Sequence, residues 1–251
     1  MKQRSQTAMT SKSRARPRTL AIDIGGTGLK AAVLDPRGRL LTDRVRVDTP
    51  KPCDPEKLLE ALARLVAPLG EFERVSVGFP GLVRHGKIVT APNLGTECFA
   101  GTDLAQILTR RLRHPTRVVN DADMQGLAAC SGKGLEMVVT LGTGFGTALL
   151  LDGQLQAHLE IAHQPFKKGK TYDQLLGERA RAKNKKRWRK HVLAAIDNMR
   201  ALVGFDRLFI GGGNAARIDF ELPSDVELVD NSAGVLGGIR LWEDEPSGPE
   251  S

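Results

Sequence analysis

Two stretches of this chain follow one plan, and a repeated plan restricts the folds available more than any single element does. The first is Ala21-Ile22-Asp23-Ile24-Gly25-Gly26-Thr27-Gly28-Leu29-Lys30, which continues through Ala31-Ala32-Val33-Leu34 to a polar turn at Asp35-Pro36-Arg37-Gly38. The second is Val138-Val139-Thr140-Leu141-Gly142-Thr143-Gly144-Phe145-Gly146-Thr147, which continues through Ala148-Leu149-Leu150-Leu151 to Asp152-Gly153. Each reads as apolar strand, Gly/Thr-rich turn, apolar strand, polar turn. Glycine lets a ligand approach the backbone, and successive N–H groups in such a turn make a concavity for anions. Duplicated turns predict two jaws closing on one phosphate chain.

The rest of the pattern alternates strands and helices. Arg39 to Val47 reads as a third strand, and Asp54 to Leu69 as an amphipathic helix capped by Asp54. Arg74 to Phe79 reads as a strand ending at Pro80-Gly81, and residues 82–100 as loop and short hairpin. A helix over Asp103 to Arg113 precedes the strand Arg117-Val118-Val119, which delivers Asn120-Asp121-Ala122-Asp123 to another helix. The second half repeats hairpin, loop, helix and strand, ending in Gly211-Gly212-Gly213-Asn214. This is an α/β protein of two related lobes with a cleft between them. The lobes are expected at 19–131 and 132–242, between a basic tail at 1–18 and a second tail at 243–251.

At 251 residues the chain is long enough to bury a sizeable core. No apolar run is long enough for a bilayer span, and no signal-peptide core is present. The three cysteines are scattered and odd in number, which argues for a reducing, cytoplasmic setting without disulfides or a zinc cluster. The net charge of +8 is unevenly spread. Besides the first 18 residues, Lys167 to Lys190 carries Lys167, Lys168, Lys170, Arg179, Arg181, Lys183, Lys185, Lys186, Arg187, Arg189 and Lys190. It is either a solvated helix face or a surface for polyanions.

Three constellations carry chemistry. Asp23 ends a strand just before the first turn, where a carboxylate holds Mg²⁺, directly or through water, while turn amides hold phosphate oxygens; Thr27 and Lys30 add a hydroxyl and a cation. The plainer alternative is a hairpin needing positive φ with Asp23 exposed by chance, which the repetition at 142–146 disfavours. Asp121 stands at a sheet rim, where open α/β folds place ligands, and is the candidate base for an alcohol proton. An Asp there also serves as helix N-cap, so Asp121 and Asp123 divide the two roles. Glu160 and His163, three apart, share a face if on one helical turn and would bind neighbouring hydroxyls. Alone, such a pair is surface decoration.

The segments Asp23–Lys30, Gly78-Phe79-Pro80-Gly81, Asn120–Asp123, Leu141–Gly146 and Gly211–Asn214 occur in the order and spacing of ROK-family sugar kinases. The likeness covers roughly residues 19 to 241 and is greatest to the polyphosphate-glucokinase branch. It implies a two-lobed, actin-like (ribonuclease H-like) kinase with a central cleft that phosphorylates glucose on its primary hydroxyl, and a homodimer. By resemblance, Asp121 is the catalytic base, and Gly81, Asn93, Asn120, Glu160 and His163 contact the sugar. Asp23, Gly25, Gly26, Thr27, Gly28 and Lys30 form one phosphate loop and Gly142, Thr143 and Gly144 the other, with Gly212 and Gly213 flanking the distal donor. The chain departs from the family in three places. Ala162 replaces a glycine between Glu160 and His163, the zinc-binding cysteines are missing, and Asp173 stands for a sugar-gripping glutamate. Polyphosphate and ATP both remain open as donors. A non-catalytic sugar-binding regulator and an ATP-only kinase for another hexose are the competing readings. Against a regulator, residues 1–18 are too short and aperiodic for a helix-turn-helix, which also argues against nucleic acid as a partner.

Overall fold

The structure, a computed structural model, describes residues 17–229 and 233–243. The expected tails lie outside the described residues at 1–16 and 244–251. Arg18, assigned to the first tail, instead belongs to the fold: its N–H donates to Glu73 Oε2 (2.6 Å) and its guanidinium to Glu73 Oε1 (2.6 Å).

In chain order the first half runs β1 (Thr19–Ile24), β2 (Gly28–Leu34), β3 (Val45–Asp48), α1 (Pro55–Val66) and β4 (Arg74–Phe79). It continues through the short strands β5 (Val83–Arg84) and β6 (Lys87–Ile88) to α2 (Thr96–Phe99), α3 (Leu104–Leu112), β7 (Thr116–Asn120) and α4 (Asp121–Ala129). The second half opens with β8 (Leu135–Leu141), β9 (Phe145–Leu151), β10 (Gln154–Leu155), β11 (Pro165–Lys167) and β12 (Lys170–Thr171). It ends with α5 (Tyr172–Leu176), α6 (Glu178–Lys183), α7 (Lys185–Val203), β13 (Arg207–Gly211), β14 (Val226–Leu228) and α8 (Ala233–Arg240).

The duplication read from the hairpins extends to whole sheets. One sheet has the order β3-β2-β1-β4-β7 and the other β10-β9-β8-β13-β14. In each, the first three strands are antiparallel and the last two join in parallel. The helix after Asp54 forms as expected, with the Asp54 side chain accepting from Lys57 N and Leu58, Leu59, Leu62 and Leu65 buried on the first sheet. The third strand is shorter than expected. Asp35 accepts from the backbone of Arg37 and Arg39 and from the Arg39 side chain, bending 35–39 into a loop and leaving Leu40 and Leu41 exposed.

Two helices lie between the sheets. α4 leaves β7 of the first sheet and packs on β8 and β9 of the second; α8, last in the chain, returns to β1 and β4. A division at residue 131/132 therefore groups α8 with the second sheet by sequence, whereas in space it lies on the first. Small residues allow the close fit. A Cβ on Gly126 would press on Ala148, one on Gly238 on Ala21 and Ser76, and one on Gly237 would overlap the Met124 carbonyl. Arg240 donates to the carbonyls of Leu127 (2.7 Å) and Cys130 (3.0 Å), so a cation meets the negative end of α4. Among the described residues no helix is long and apolar enough to cross a membrane.

Because Gly237 meets backbone rather than a movable side chain, Gly237→Ala is expected to destabilise the fold by about 3 kcal/mol. Thermal unfolding checks this, with Gly70→Ala, which meets open space, as the control expected to be near neutral.

Candidate active site

The two glycine turns occupy matching places. In the first, Gly25 N donates to Gly28 O (3.0 Å) and Thr49 Oγ1 to Gly25 O (2.6 Å). In the second, Gly142 N donates to Gly144 O (3.0 Å). None of Gly25, Gly26, Gly28, Gly142 or Gly144 has positive φ, so the hairpin-geometry explanation for these glycines fails. Crowding explains part of the set: a Cβ on Gly28 would strike Arg46, and one on Gly144 would overlap the Asp173 carboxylate. Gly142 has open space where a side chain would stand, and Gly26 has only Asn93 at an ordinary contact distance of 3.5 Å. Glycine at these two positions keeps clear a space that a bound phosphate would fill. Asp23 stands beside the first turn with Lys30 Nζ 3.4 Å from its Oδ2, whereas the matching position in the second hairpin, by strand register, is Thr140.

Between the turns lies the start of α4. Asn120, not Asp121 or Asp123, is the N-cap: its Oδ1 accepts from Ala122 N (2.7 Å) while its Nδ2 donates to Gly81 O (3.0 Å). The division of roles between Asp121 and Asp123 is corrected accordingly, because Asn120 already serves the free amide. Gly78 lies against the Asp121 backbone, and Ala122 against Gly146 of the second hairpin. Burial, then the charge of Asp23, pushes the Asp121 carboxyl up to about 7.

Glu160 and His163 are not on a helix. Residues 156–160 are irregular, and a turn follows in which Gln164 N donates to Ile161 O (2.9 Å). Glu160 is partly buried and His163 exposed. Ala162 is buried without positive φ, so the backbone accepts alanine there without strain. The partner of Glu160 is a residue the sequence reading missed. His158 has Nε2 3.6 Å from Glu160 Oε2 and Nδ1 3.0 Å from Asp123 Oδ1. Burial pulls the His158 pKa down, but the two carboxylates outweigh it and carry it up to about 9. The only sequence sign was a histidine two places before Glu160, with nothing nearby to show its tie to α4.

Asp173 also has a structural use that the sequence reading did not include. Its Oδ1 accepts from Phe145 N (3.0 Å) and its own N–H donates to Ala162 O (2.9 Å), so it links the second turn to the Glu160 segment. One carboxylate oxygen is thus committed to the second glycine turn, and the other is left for the sugar contact that the resemblance implies. Gly212 has φ +85 and lies against the Leu141 backbone, which accounts for its glycine structurally, while Gly213 is exposed. Asn214 Nδ2 and Glu178 N both donate to Gly142 O, so the loop after β13 and the start of α6 together brace the second turn. Among the described residues no group of three His, Cys, Asp or Glu side chains is placed to hold a metal ion.

Paired sheets of identical order, a glycine turn from each, and a half-buried carboxylate at a helix start between them define a two-lobed actin-like α/β protein of the sugar-kinase kind. The sequence model of the ROK family matches residues 19–164, and the chain belongs to that family. It is 30% identical over 250 residues to the polyphosphate glucokinase of Mycobacterium leprae (strain TN), covering 91% of this chain and 75% of that one. Among solved structures it resembles the inorganic polyphosphate/ATP-glucomannokinase from Arthrobacter sp. strain KM (31% identity, TM-score 0.80), with 90% of this chain and 98% of that one covered. The ROK family glucokinase from Streptomyces griseus, solved with glucose and AMPPNP, shares the fold at 18% identity (TM-score 0.72), with 89% and 98% of the two chains covered.

The raised Asp121 pKa has a consequence for stability. Folding favours its protonated form, a contribution fully present below the unfolded value near 4 and lost as pH rises through about 7. Asp121→Asn is therefore expected to be more stable than the wild type above pH 7, with the gap narrowing toward pH 4. Paired melting curves across that range test it.

Proposed function

We propose that this chain is a hexokinase-type phosphotransferase that makes glucose 6-phosphate from glucose, with inorganic polyphosphate or ATP as donor. The observation that carries the reading is Asp121: a carboxyl titrating near 7, at the start of α4, beside Asp23 of one glycine turn and adjoining Gly146 of the other hairpin. A general base works best with its pKa near the operating pH. In this reading Asp121 orients the primary hydroxyl of the sugar and accepts its proton. Asn120 holds Gly81 and the helix start in place, and Gly81, Asn93, Glu160 and His163 receive the remaining hydroxyls. With the Gly25 and Gly142 N–H groups closing their own turns, the N–H groups of Gly26 to Gly28 and of Thr143 and Gly144 take the donor oxygens, with the Thr27 and Thr143 hydroxyls, Lys30 and Gly213 at the margin. Sugar binding closes the cleft and excludes water, which limits hydrolysis of the donor.

Asp23 would hold Mg²⁺. A single carboxylate ligand beside a phosphate-binding turn, with no group of three acidic, His or Cys side chains among the described residues to complete a protein cage, fits a cation that keeps several waters and takes its other ligands from phosphate. When bound, that ion neutralises charge on the phosphoryl group in transfer. Lobes at 19–131 and 132–242, a homodimer and a cytoplasmic setting complete the proposal.

Polyphosphate is favoured over ATP by the surface next to the second turn. α6 begins on that turn through Glu178 N and leads to α7, whose first residues are Lys185, Lys186 and Arg187 with no acidic residue among them. Lys167, Lys168, Lys170, Lys183 and Lys190 are exposed on the same segment, whereas Arg181 is engaged by Glu178 at 2.7 and 2.8 Å. The polyphosphate glucokinase of Mycobacterium leprae supports the same donor by likeness, and the Arthrobacter polyphosphate/ATP-glucomannokinase is compatible with both donors.

Coupled assays of glucose, mannose and fructose against ATP and long-chain polyphosphate test the proposal. Glucose is expected to turn over, and Asp121→Asn to lower kcat at least roughly 10³-fold. Turnover unaffected by Asp121→Asn refutes the base assignment, and hexose binding without product under any donor supports a non-catalytic protein. Replacing Lys183, Lys185, Lys186 and Lys190 by Gln should raise KM for long-chain polyphosphate roughly tenfold or more while leaving KM for ATP within about threefold. Equal losses with both donors would count against a surface that tracks the polyanion.

A further inference from the structure

His158 has no part in the reading above, yet its side chain is only 6% exposed and both ring nitrogens face carboxylates. Nδ1 lies 3.0 Å from Asp123 Oδ1, in the first turn of α4; Nε2 lies 3.6 Å from Glu160 Oε2, in the segment that follows β10. A neutral imidazole carries one N–H and can donate to only one of these acceptors. The imidazolium donates to both, so the burial of a charged ring is offset on two sides. The three groups are unequally open: Asp123 is 5% exposed and Glu160 28%. Asp123 is the anchored end, and Glu160 is the end able to meet a ligand.

The segment carrying Glu160 has no regular structure of its own, and its backbone is tied at neighbouring residues. Thr147 Oγ1 donates to Leu159 O (2.7 Å), and Asp173 N to Ala162 O (2.9 Å). These contacts fix the main chain but leave the Glu160 side chain to His158. At 3.6 Å that contact is an ion pair rather than a hydrogen bond, so it steers the carboxylate without using up its capacity to accept from hydroxyls. We infer that His158 is a positioning residue for sugar recognition, holding Glu160 in register with the start of α4 so that the hydroxyl-binding carboxylate and the Asp121 base are set relative to one another before the sugar arrives. The inference rests on the proposed hexose-kinase reading and adds a residue to its sugar side.

A double-mutant cycle decides it. Wild type, His158→Ala, Glu160→Gln and the double variant are compared for KM and kcat with glucose, for donor KM, and for glucose binding by titration calorimetry. His158→Ala is expected to raise glucose KM and Kd roughly tenfold, with kcat changed less than about threefold and donor KM unchanged. The double variant is expected to bind glucose no worse than Glu160→Gln alone, within about twofold. His158→Gln, which restores one neutral donor, should recover most of the glucose affinity. Additive losses in the cycle overturn the inference, as does a His158→Ala that leaves glucose KM unchanged or moves kcat and donor KM equally with it. If His158→Ala does not fold, the same cycle is run with His158→Leu, which fills the space without a donor, and additivity there overturns it equally. A wild type that phosphorylates no hexose overturns the hexose-kinase reading and this inference together, whereas an active wild type with an additive cycle overturns this inference alone.

Discussion

Asn120 accepts from Ala122 N and donates to Gly81 O, and those two bonds set where α4 starts relative to the loop after β4. Three of the groups proposed to act on the sugar, Asp121, Glu160 and Gly81, are referenced to that point. Asp121 follows the cap directly, Asp123 reaches Glu160 through His158, and Gly81 is held by the cap's own amide. The helix then runs between the sheets, where Gly126 admits Ala148 and the Met124 carbonyl admits Gly237. Its end is closed by Arg240. α4 thus joins a capped end carrying the proposed base to a body packed against both sheets, and the arrangement that places Asp121 also couples the two sheets.

That arrangement concentrates negative charge. The charges of Asp23 and Asp123 both push the Asp121 carboxyl up, and Glu160 adds a further negative charge near Asp123. Such crowding is unfavourable for folding and useful for chemistry, because a carboxyl kept near neutral pH is a better base than one left at its usual value. Two cations relieve the repulsion in different ways. Lys30 is exposed and pairs with Asp23 across the β1–β2 register, so its contribution is screened. His158 is buried, and the charge it supplies is felt by both of its neighbours.

Much of the fold was legible because its signals are local. The strand from Arg74 to Phe79, the Asp54 cap and the twin hairpins each rest on residues within one element, and the equal order of the two sheets follows from copying a whole unit. The site was legible only where chemistry coincides with a motif. Asp121 announces itself by its strand, but its cap does not, since Asn, Asp and Ser are near-equal N-caps and three candidates stand within four residues. Asp173 looked like a sugar ligand by position, yet its carboxylate meets Phe145 N from 28 residues away. His158 and Asp123 are 35 residues apart, and no periodicity links them. α8 was illegible for the opposite reason. Gly237-Gly238 reads as a breaker, and only the tight fit against Met124, Ala21 and Ser76 explains why a helix keeps both glycines.

The basic segment departs from local rules in a way that bears on the donor. A helix start carries partial positive charge and favours acidic residues, yet α7 opens with Lys185, Lys186 and Arg187 and no acid. Each misplaced cation costs on the order of 0.3–1 kcal/mol, which no packing recovers, since all three are exposed. The helix is held instead by its far side, where Trp188, Val192, Ala195, Ile196 and Met199 enter the second core, and Trp188 Nε1 donates to Leu176 O (2.7 Å). A surface that accepts repulsion at its own helix terminus gains from an anion large enough to neutralise several charges together. A nucleotide presents its few phosphates to the turns alone. A polymer of phosphate seated at the Gly142 turn would have the length to continue along α6 to the cations that α7 otherwise holds at a cost, which favours that donor.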